Sequence, residues 1–215
     1  MSSPAMPLSD AFFEQLAELG ARHATDPAVF LDVWNAESGL NPRAENPASH
    51  ARGLNQMMPK TLEGLGAPAD FNELAGEAQL PWIERLIGGG ESLNGGPFRA
   101  AERYYHSNFF PRTMYRGQTP ATVVVASDAT DPVERAAYAG NAEMDPAKSG
   151  RITYAELAAF LNRGKNGNRL TYEAARARLA LAMRGATPAT AAAASAAPVL
   201  FGLGVLAAAV AWRAR

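Results

Sequence analysis

Trp34-Asn35-Ala36-Glu37-Ser38-Gly39-Leu40-Asn41-Pro42, followed by Ala51-Arg52-Gly53-Leu54-Asn55-Gln56-Met57-Met58-Pro59, is the stretch from which the rest of the chain can be read. The apolar, helix-compatible run from Ala28 to Ala36 delivers one carboxylate, Glu37, to a point where Gly39, Asn41 and Pro42 break the helix. An acid at a helix end beside a loop can be half buried and still face a cleft. The start of this helix is equally marked, because Asp26 can cap it and Pro27 sits at the first position, where no amide donor is needed. Val29, Phe30, Val33 and Trp34 then recur at helical spacing.

Working outward, Ser9 or Asp10 can cap a first helix to about His23, with Phe12, Phe13, Leu16 and Leu19 on one apolar stripe. Downstream, the segment from Gly39 to Arg52 reads as a loop rich in Asn, Pro and Ala. Pro59 opens a short helix through Leu65 and Pro81 another through Ile87, which Gly88-Gly89-Gly90 and Asn94-Gly95-Gly96 interrupt. The glycine triplet is not a phosphate cradle, since no Lys-Ser/Thr follows it and no apolar strand precedes it. Pro97 starts a helix holding Phe98, Ala101, Tyr104, Tyr105 and Asn108, which ends near Pro111. Thr171 caps a last helix through Met183, and no internal repeat is present.

The bulk composition is that of an ordinary globular protein: 215 residues, 47% hydrophobic, 19% charged, formal net charge -1. No basic surface recommends a nucleic-acid partner. The absence of cysteine removes disulfides, a thiolate nucleophile and Cys-based zinc sites, and His23, His50 and His106 have no metal-ligand spacing and read as surface or loop residues.

The two opening blocks resemble those of the lysozyme-like lytic transglycosylases (SLT/goose-type), which cut the glycan strands of peptidoglycan. Glu-Ser-x-hydrophobic-Asn-Pro is matched by Glu37, Ser38, Leu40, Asn41 and Pro42. Gly-Leu-x-Gln-hydrophobic-Met-Pro is matched by Gly53, Leu54, Gln56, Met57, Met58 and Pro59, and Thr61 also fits. The resemblance implies a mainly α, lysozyme-like α+β fold, with small strands or irregular turns in the loop beside the cleft. It makes Glu37 the catalytic acid and Ser38, Gln56 and Met57 substrate contacts. The family's third block pairs a tyrosine with an asparagine; Tyr105 and Asn108 are the equivalents here, although the usual Ala-Tyr-Asn-x-Gly is missing and Tyr104 to Pro111 looks more like divergent phage relatives. For several of these residues a plainer reading stays open: local capping for Ser38, a tie between loop and backbone for Gln56, and core packing for Tyr105.

Cleaving a glycosidic bond requires a proton for the departing oxygen, and a carboxyl supplies it at neutral pH only if apolar surroundings raise its pKa. Trp34, Leu40, Leu54, Met57 and Met58 are placed to form such a wall around Glu37. Hydrolytic glycosidases add a second carboxylate, yet the nearest downstream, Glu45 and Glu63, fall on no family motif. The resemblance implies that one acid suffices: the 6-hydroxyl of N-acetylmuramic acid attacks its own anomeric carbon and leaves a 1,6-anhydro product. The alternative is a structural or membrane-penetration protein of a virion that keeps a lysozyme-like domain without catalysis.

Asp145 to Glu156 follows the layout of a twelve-residue EF-hand loop, with acid first, glycine sixth, aliphatic eighth and glutamate twelfth. The candidate ligands are Asp145, Ser149, Arg151 and Glu156, but Ala147 offers no side-chain oxygen at the third position. The loop therefore reads as a degenerate turn before a helix from Thr153 to Leu161, with no cofactor required and at most weak calcium binding. A calcium-switched module over 130–165 is the third reading.

The chain accordingly divides into a catalytic domain over 1–125, a helical extension with the EF-hand-like loop over 126–184, an Ala/Thr/Pro linker over 185–197 and an apolar carboxy-terminal segment over 198–215. The first ten residues have neither a basic nor an apolar region of the kind a signal peptide needs. From Ala186 to Trp212 no residue is charged, which suits a membrane helix ended by Trp212 and Arg213, or else an Ala-rich tail. With the resemblance, this organisation implies a membrane-anchored enzyme of a phage virion, acting on peptidoglycan during genome delivery beside virion or envelope proteins; a bacterial inner-membrane or envelope enzyme is the other placement.

Overall fold

The computed structural model describes residues 7–167 and 169–185. Helix α1 (Asp10–Arg22) begins where the Ser9 hydroxyl accepts the Phe12 amide at 3.0 Å, and it buries the expected stripe of Phe12, Phe13, Leu16 and Leu19. Helix α2 (Pro27–Ser38) is capped by Asp26, whose carboxylate accepts the Ala28 amide at 2.9 Å. Its buried residues run from Pro27 to Ala36 with only Asp32 left partly out, so it is a central helix with no broad polar face. Helix α3 (Pro59–Leu65) follows the loop.

Helix α4 (Gly76–Asn94) corrects the expectation of a short helix broken at the glycines, because it runs unbroken through Pro81 and Gly88-Gly89-Gly90. A proline inside a helix costs about 3 kcal/mol, but Leu80, Ile83 and Ile87 are fully or almost fully buried. Burying side chains of this size contributes about 1.5–3 kcal/mol each, so packing overrides the local signal. At Gly90 the helix meets its neighbour: a Cβ there would lie 2.9 Å from Ser107 Oγ and 3.0 Å from Phe98 Cζ. That neighbour, α5 (Ala101–Phe109), starts later than Pro97.

Two histidines are not the surface residues the sequence suggested. His23, at the end of α1, contacts Glu91 at 2.7 Å and Glu84 at 3.3 Å on α4, and Arg22 adds a 2.8 Å bond to Glu84. Burial pulls the His23 pKa down, but the two carboxylates outweigh it and raise it to about 9. His106, on α5, is fully buried, bonded at 2.6 Å to Tyr154 and at 2.8 Å to Thr113. Its pKa is lowered to about 3, by burial first and then by the Arg103 charge.

The later part adds β1 (Val123–Ala126), α6 (Pro132–Ala139), β2 (Arg151–Thr153), α7 (Tyr154–Gly167) and α8 (Arg169–Gly185). β1 and β2 form an antiparallel pair with Val125 opposite Ile152 and an irregularity between Val123 and Val125. Helix α7 lies on α2 and α5: the Tyr154 hydroxyl bonds Arg103 and His106, and the Phe160 ring is 5.5 Å from that of Tyr105. Gly164 permits the approach, since a Cβ there would lie 3.0 Å from Ala36 Cα. Helix α8 packs on α1, with the Arg178 guanidinium 4.5 Å above the Phe13 ring. One hydrophobic core runs from Phe12 through Trp34 and Tyr104 to Leu157, Phe160 and Leu179, with no break at 125/126.

The mainly α architecture with one small sheet agrees with the expected fold class. Among the described residues no helix is long and apolar enough to cross a membrane. The apolar segment over 198–215 and the linker, beyond Gly185, lie outside the described residues.

Candidate functional site

Glu37 occupies the last turn of α2 and is half-buried. The helix ends at once because Gly39 (φ 62°) and Leu40 (φ 61°) both take the left-handed conformation. Their amides fold back onto Asn35 O at 3.0 Å and Trp34 O at 3.4 Å, which satisfies carbonyls that a helix end otherwise leaves open. Trp34, one turn before Glu37 on the same helix, is fully buried, as are Leu54 and Tyr104, and Leu40 and Met57 are nearly so. Trp34 stacks on Phe30 at 6.0 Å, and Phe30 meets Tyr104 edge-on at 5.0 Å. Burial first, with the Glu37 charge adding to it, pushes the Tyr104 hydroxyl above the ordinary phenol range. The carboxyl thus sits within electrostatic reach of a buried aromatic wall.

The second block is a compact loop. Arg52 and Met57 exchange backbone bonds of 3.0 and 2.9 Å, Glu45 bridges to Arg52, and the Gly53 amide reaches Ala44 O at 2.9 Å. These isolated bridges are the irregular β features expected in this loop. Gly53 has φ +76°, and a Cβ there would fall 2.5 Å from Phe71 Cε1 and 2.6 Å from Gln79 Oε1. Glycine is therefore required both for conformation and for space.

Of the residues proposed from the sequence, several serve the local backbone. The Ser38 hydroxyl donates to Trp34 O, one turn back, at 2.9 Å. Gln56 donates through Nε2 to Ala44 O at 3.2 Å and to Gly53 O at 2.9 Å, so its amide ties the loop together. Met57 is 3% exposed and belongs to the core. Tyr105 is 2% exposed, stacked on Phe109 at 5.9 Å and facing Phe160. It is Tyr104, not Tyr105, that the structure brings together with Asn108: both donate to Asn55 Oδ1, at 2.8 and 3.1 Å, and Trp34 Nε1 joins them at 2.9 Å. Both Tyr104 and Tyr105 are within one turn of Asn108 on the helix, and it is the contact with Asn55 on one side and with Phe160 on the other that separates them. The sequence reading missed Asn55 and Tyr104. It also missed Gln79, a fully buried side chain on α4 whose amide bonds both loop blocks.

The EF-hand-like loop is held by its own hydrogen bonds. Asp145 accepts the Ser149 and Gly150 amides at 3.0 and 2.8 Å and the Tyr138 hydroxyl at 2.9 Å. Burial alone would raise the Asp145 pKa, but these bonds hold it below the usual carboxylate range. Glu156 accepts the Thr153 amide and hydroxyl (3.0 Å for the latter), forming a capping box at the start of α7. Arg151 bonds Asp128 at 3.0 Å. Among the described residues no group of three or more His, Asp or Glu is arranged to hold a metal ion.

A cavity of about 680 Å³ opens beside the Gly39–Asn41 turn, between Leu8 and Phe13 on one side and Leu170, Ala174 and Arg178 of α8 on the other. Neither Glu37 nor Asn55 lines it.

No curated protein and no solved structure matches the chain. Residues 15–78, which carry Glu37 and both loop blocks, match the family model of the Transglycosylase SLT domain, and this supports a lytic-transglycosylase-like, lysozyme-related function with peptidoglycan as substrate.

Proposed function

We propose that the chain is a peptidoglycan lytic transglycosylase in which Glu37 alone serves as acid and then as base. The observation that carries this reading is the position of Glu37: half-buried at an abrupt helix end, one turn after Trp34 and within electrostatic reach of Tyr104, inside the segment that matches the SLT model. The protonated carboxyl gives its proton to the oxygen between N-acetylmuramic acid and N-acetylglucosamine as that bond breaks. The 6-hydroxyl of the muramyl residue attacks the anomeric carbon and passes its proton to the Glu37 carboxylate. The acid is restored, no water is consumed and a 1,6-anhydro end remains. The two nearest downstream acids support a single-carboxylate scheme. Glu45 is engaged with Arg52, His50 and Asn72, at 3.7, 3.3 and 3.3 Å, and Glu63 is exposed on α3.

Removing a general acid costs about 10²–10⁴-fold in rate, so Glu37→Gln should clear purified peptidoglycan at that fraction of the wild-type rate. Equal clearing by the two proteins would leave the non-catalytic virion-protein reading in its place. Mass spectrometry of the released muropeptides decides the product: the anhydro end is lighter than a hydrolysed one by one water. We further propose that the enzyme acts from a phage particle, opening the wall locally as the genome is delivered. The support is the uncharged stretch from Ala186 to Trp212 together with the phage-like third block. Detergent, and not salt, should then release the protein from particles.

A further inference from the structure

Asn55 occupies the position between Leu54 and Gln56 where the second block specifies no residue type. Its side chain is 4% exposed, and its single carbonyl oxygen gathers three donors from two helices: the Trp34 indole of α2, and the Tyr104 hydroxyl and Asn108 amide of α5. A carboxamide oxygen has two lone pairs, so three donors on it is a crowded arrangement. The amide cannot turn over, because that would set its own NH2 against the indole N–H, which can only donate. As a result Asn55 Nδ2 is buried with no hydrogen-bond partner. A donor left in this state is unfavourable for folding, a cost set against the buried indole and hydroxyl donors of Trp34 and Tyr104 that the oxygen satisfies and that an apolar side chain would strand. What the asparagine supplies is a fixed point common to α2, α5 and the loop, and Glu37 lies three residues after Trp34, one turn further along the same helix.

We propose that Asn55 is the positioning residue of this site: by holding Trp34, Tyr104 and Asn108 on one oxygen, it sets the end of α2 against α5 and so places the Glu37 carboxyl for proton transfer. The proposal rests on the transglycosylase reading of Glu37. Asn55 acts through its neighbours and does not itself touch the reacting atoms. A misplacement of about 1 Å at a reacting group can cost a hundredfold in rate, which gives such a residue leverage over catalysis.

The full chain is assayed on a soluble GlcNAc-MurNAc oligomer, with melting temperature followed in parallel. Wild type against Glu37→Gln tests the reading itself, and equal rates there defeat the reading whatever Asn55 does. Where Glu37 proves necessary, Asn55→Leu is expected to lower kcat by about tenfold to a hundredfold. Its KM should stay within about twofold, because an acid used only in the transition state contributes little to ground-state binding. Asn55→Asp, which keeps an accepting oxygen in place, is expected to recover most of the lost kcat. If Asn55→Leu does not fold, Tyr104→Phe removes one of the three bonds while keeping the ring, and should show the same fall in kcat at constant KM. Unchanged kcat in the folded variants, a loss confined to KM, or no recovery in a folded Asn55→Asp overturns the proposal.

Discussion

Gln79 Oε1, on α4, accepts the backbone amide of Leu54 at 3.0 Å, so a residue outside both blocks holds the second one in position. Its Nε2 donates to Pro42 O at 2.8 Å and Phe71 O at 3.2 Å, and thereby reaches the end of the first block as well. Gln79→Leu would strand the Leu54 amide and the Pro42 carbonyl in the interior. Each unmatched buried group costs about 1–3 kcal/mol, so a loss of about 2–6 kcal/mol is expected in urea denaturation. A wild-type midpoint would contradict this role.

Gly53 and Gly66 make a matched pair, because both have positive φ but only Gly53 is crowded. Gly66→Ala should cost only the backbone penalty of about 1–2 kcal/mol. Gly53→Ala carries the same penalty and also drives a methyl group into Phe71 and Gln79. Overpacking adds about 1–3 kcal/mol. The difference between the two unfolding free energies measures the steric part, and equal values would show that the loop yields.

The half-buried His23 and the buried His106 give stability opposite dependences on pH. His23 has a folded pKa of about 9, above its ordinary 6.5, so its contribution is complete below pH 6.5 and is lost as pH rises through 9. His106 has a folded pKa of about 3, so its neutral form is favoured by folding; stability is intact above pH 6.5 and declines as pH falls toward 3. Glu84, lowered to about 2 chiefly by its bond from His23, adds to the acid-side loss below its ordinary 4.5. Melting temperature against pH should therefore peak near 6.5. His23→Gln should flatten the alkaline limb and leave on the acid limb the share due to His106, with that of Glu84 reduced; an unchanged alkaline limb would remove His23 as its source.

Asp145 is the natural probe of the EF-hand-like turn. Asp145→Asn replaces one accepting oxygen by a donor beside the Gly150 or Ser149 amide and should lower the melting temperature. Millimolar calcium should leave the melting temperature of both proteins unchanged. A calcium-dependent rise in the wild type would show that the loop exchanges its internal bonds for a cation.

The parts of the fold that were legible in the sequence are those fixed by neighbours along the chain. The Asp26-Pro27 start and the Gly39 stop define α2 and so deliver Glu37 where the sequence places it. Pro81 and the glycine triplet are equally local signals, yet α4 ignores them because Leu80, Ile83 and Ile87 are buried on one face. The choice between Tyr104 and Tyr105 depends on which face of α5 meets Asn55, and no spacing within α5 reveals that. Gln79 is similarly silent in sequence, since its four polar contacts lie 5 to 37 residues away along the chain.

The contact of Gly164 with Ala36 has a practical meaning for anyone who would move the proposed activity to another scaffold. The recognisable segment, 15–78, includes the acid but not the helices that enclose it: α5 supplies Tyr104 and Asn108, and α7 rests on the residue just before Glu37. A graft or truncation cut to the borders of the resemblance would carry the motif into water without its walls. The portable unit is the span whose side chains share the core, from Leu8 to Leu179.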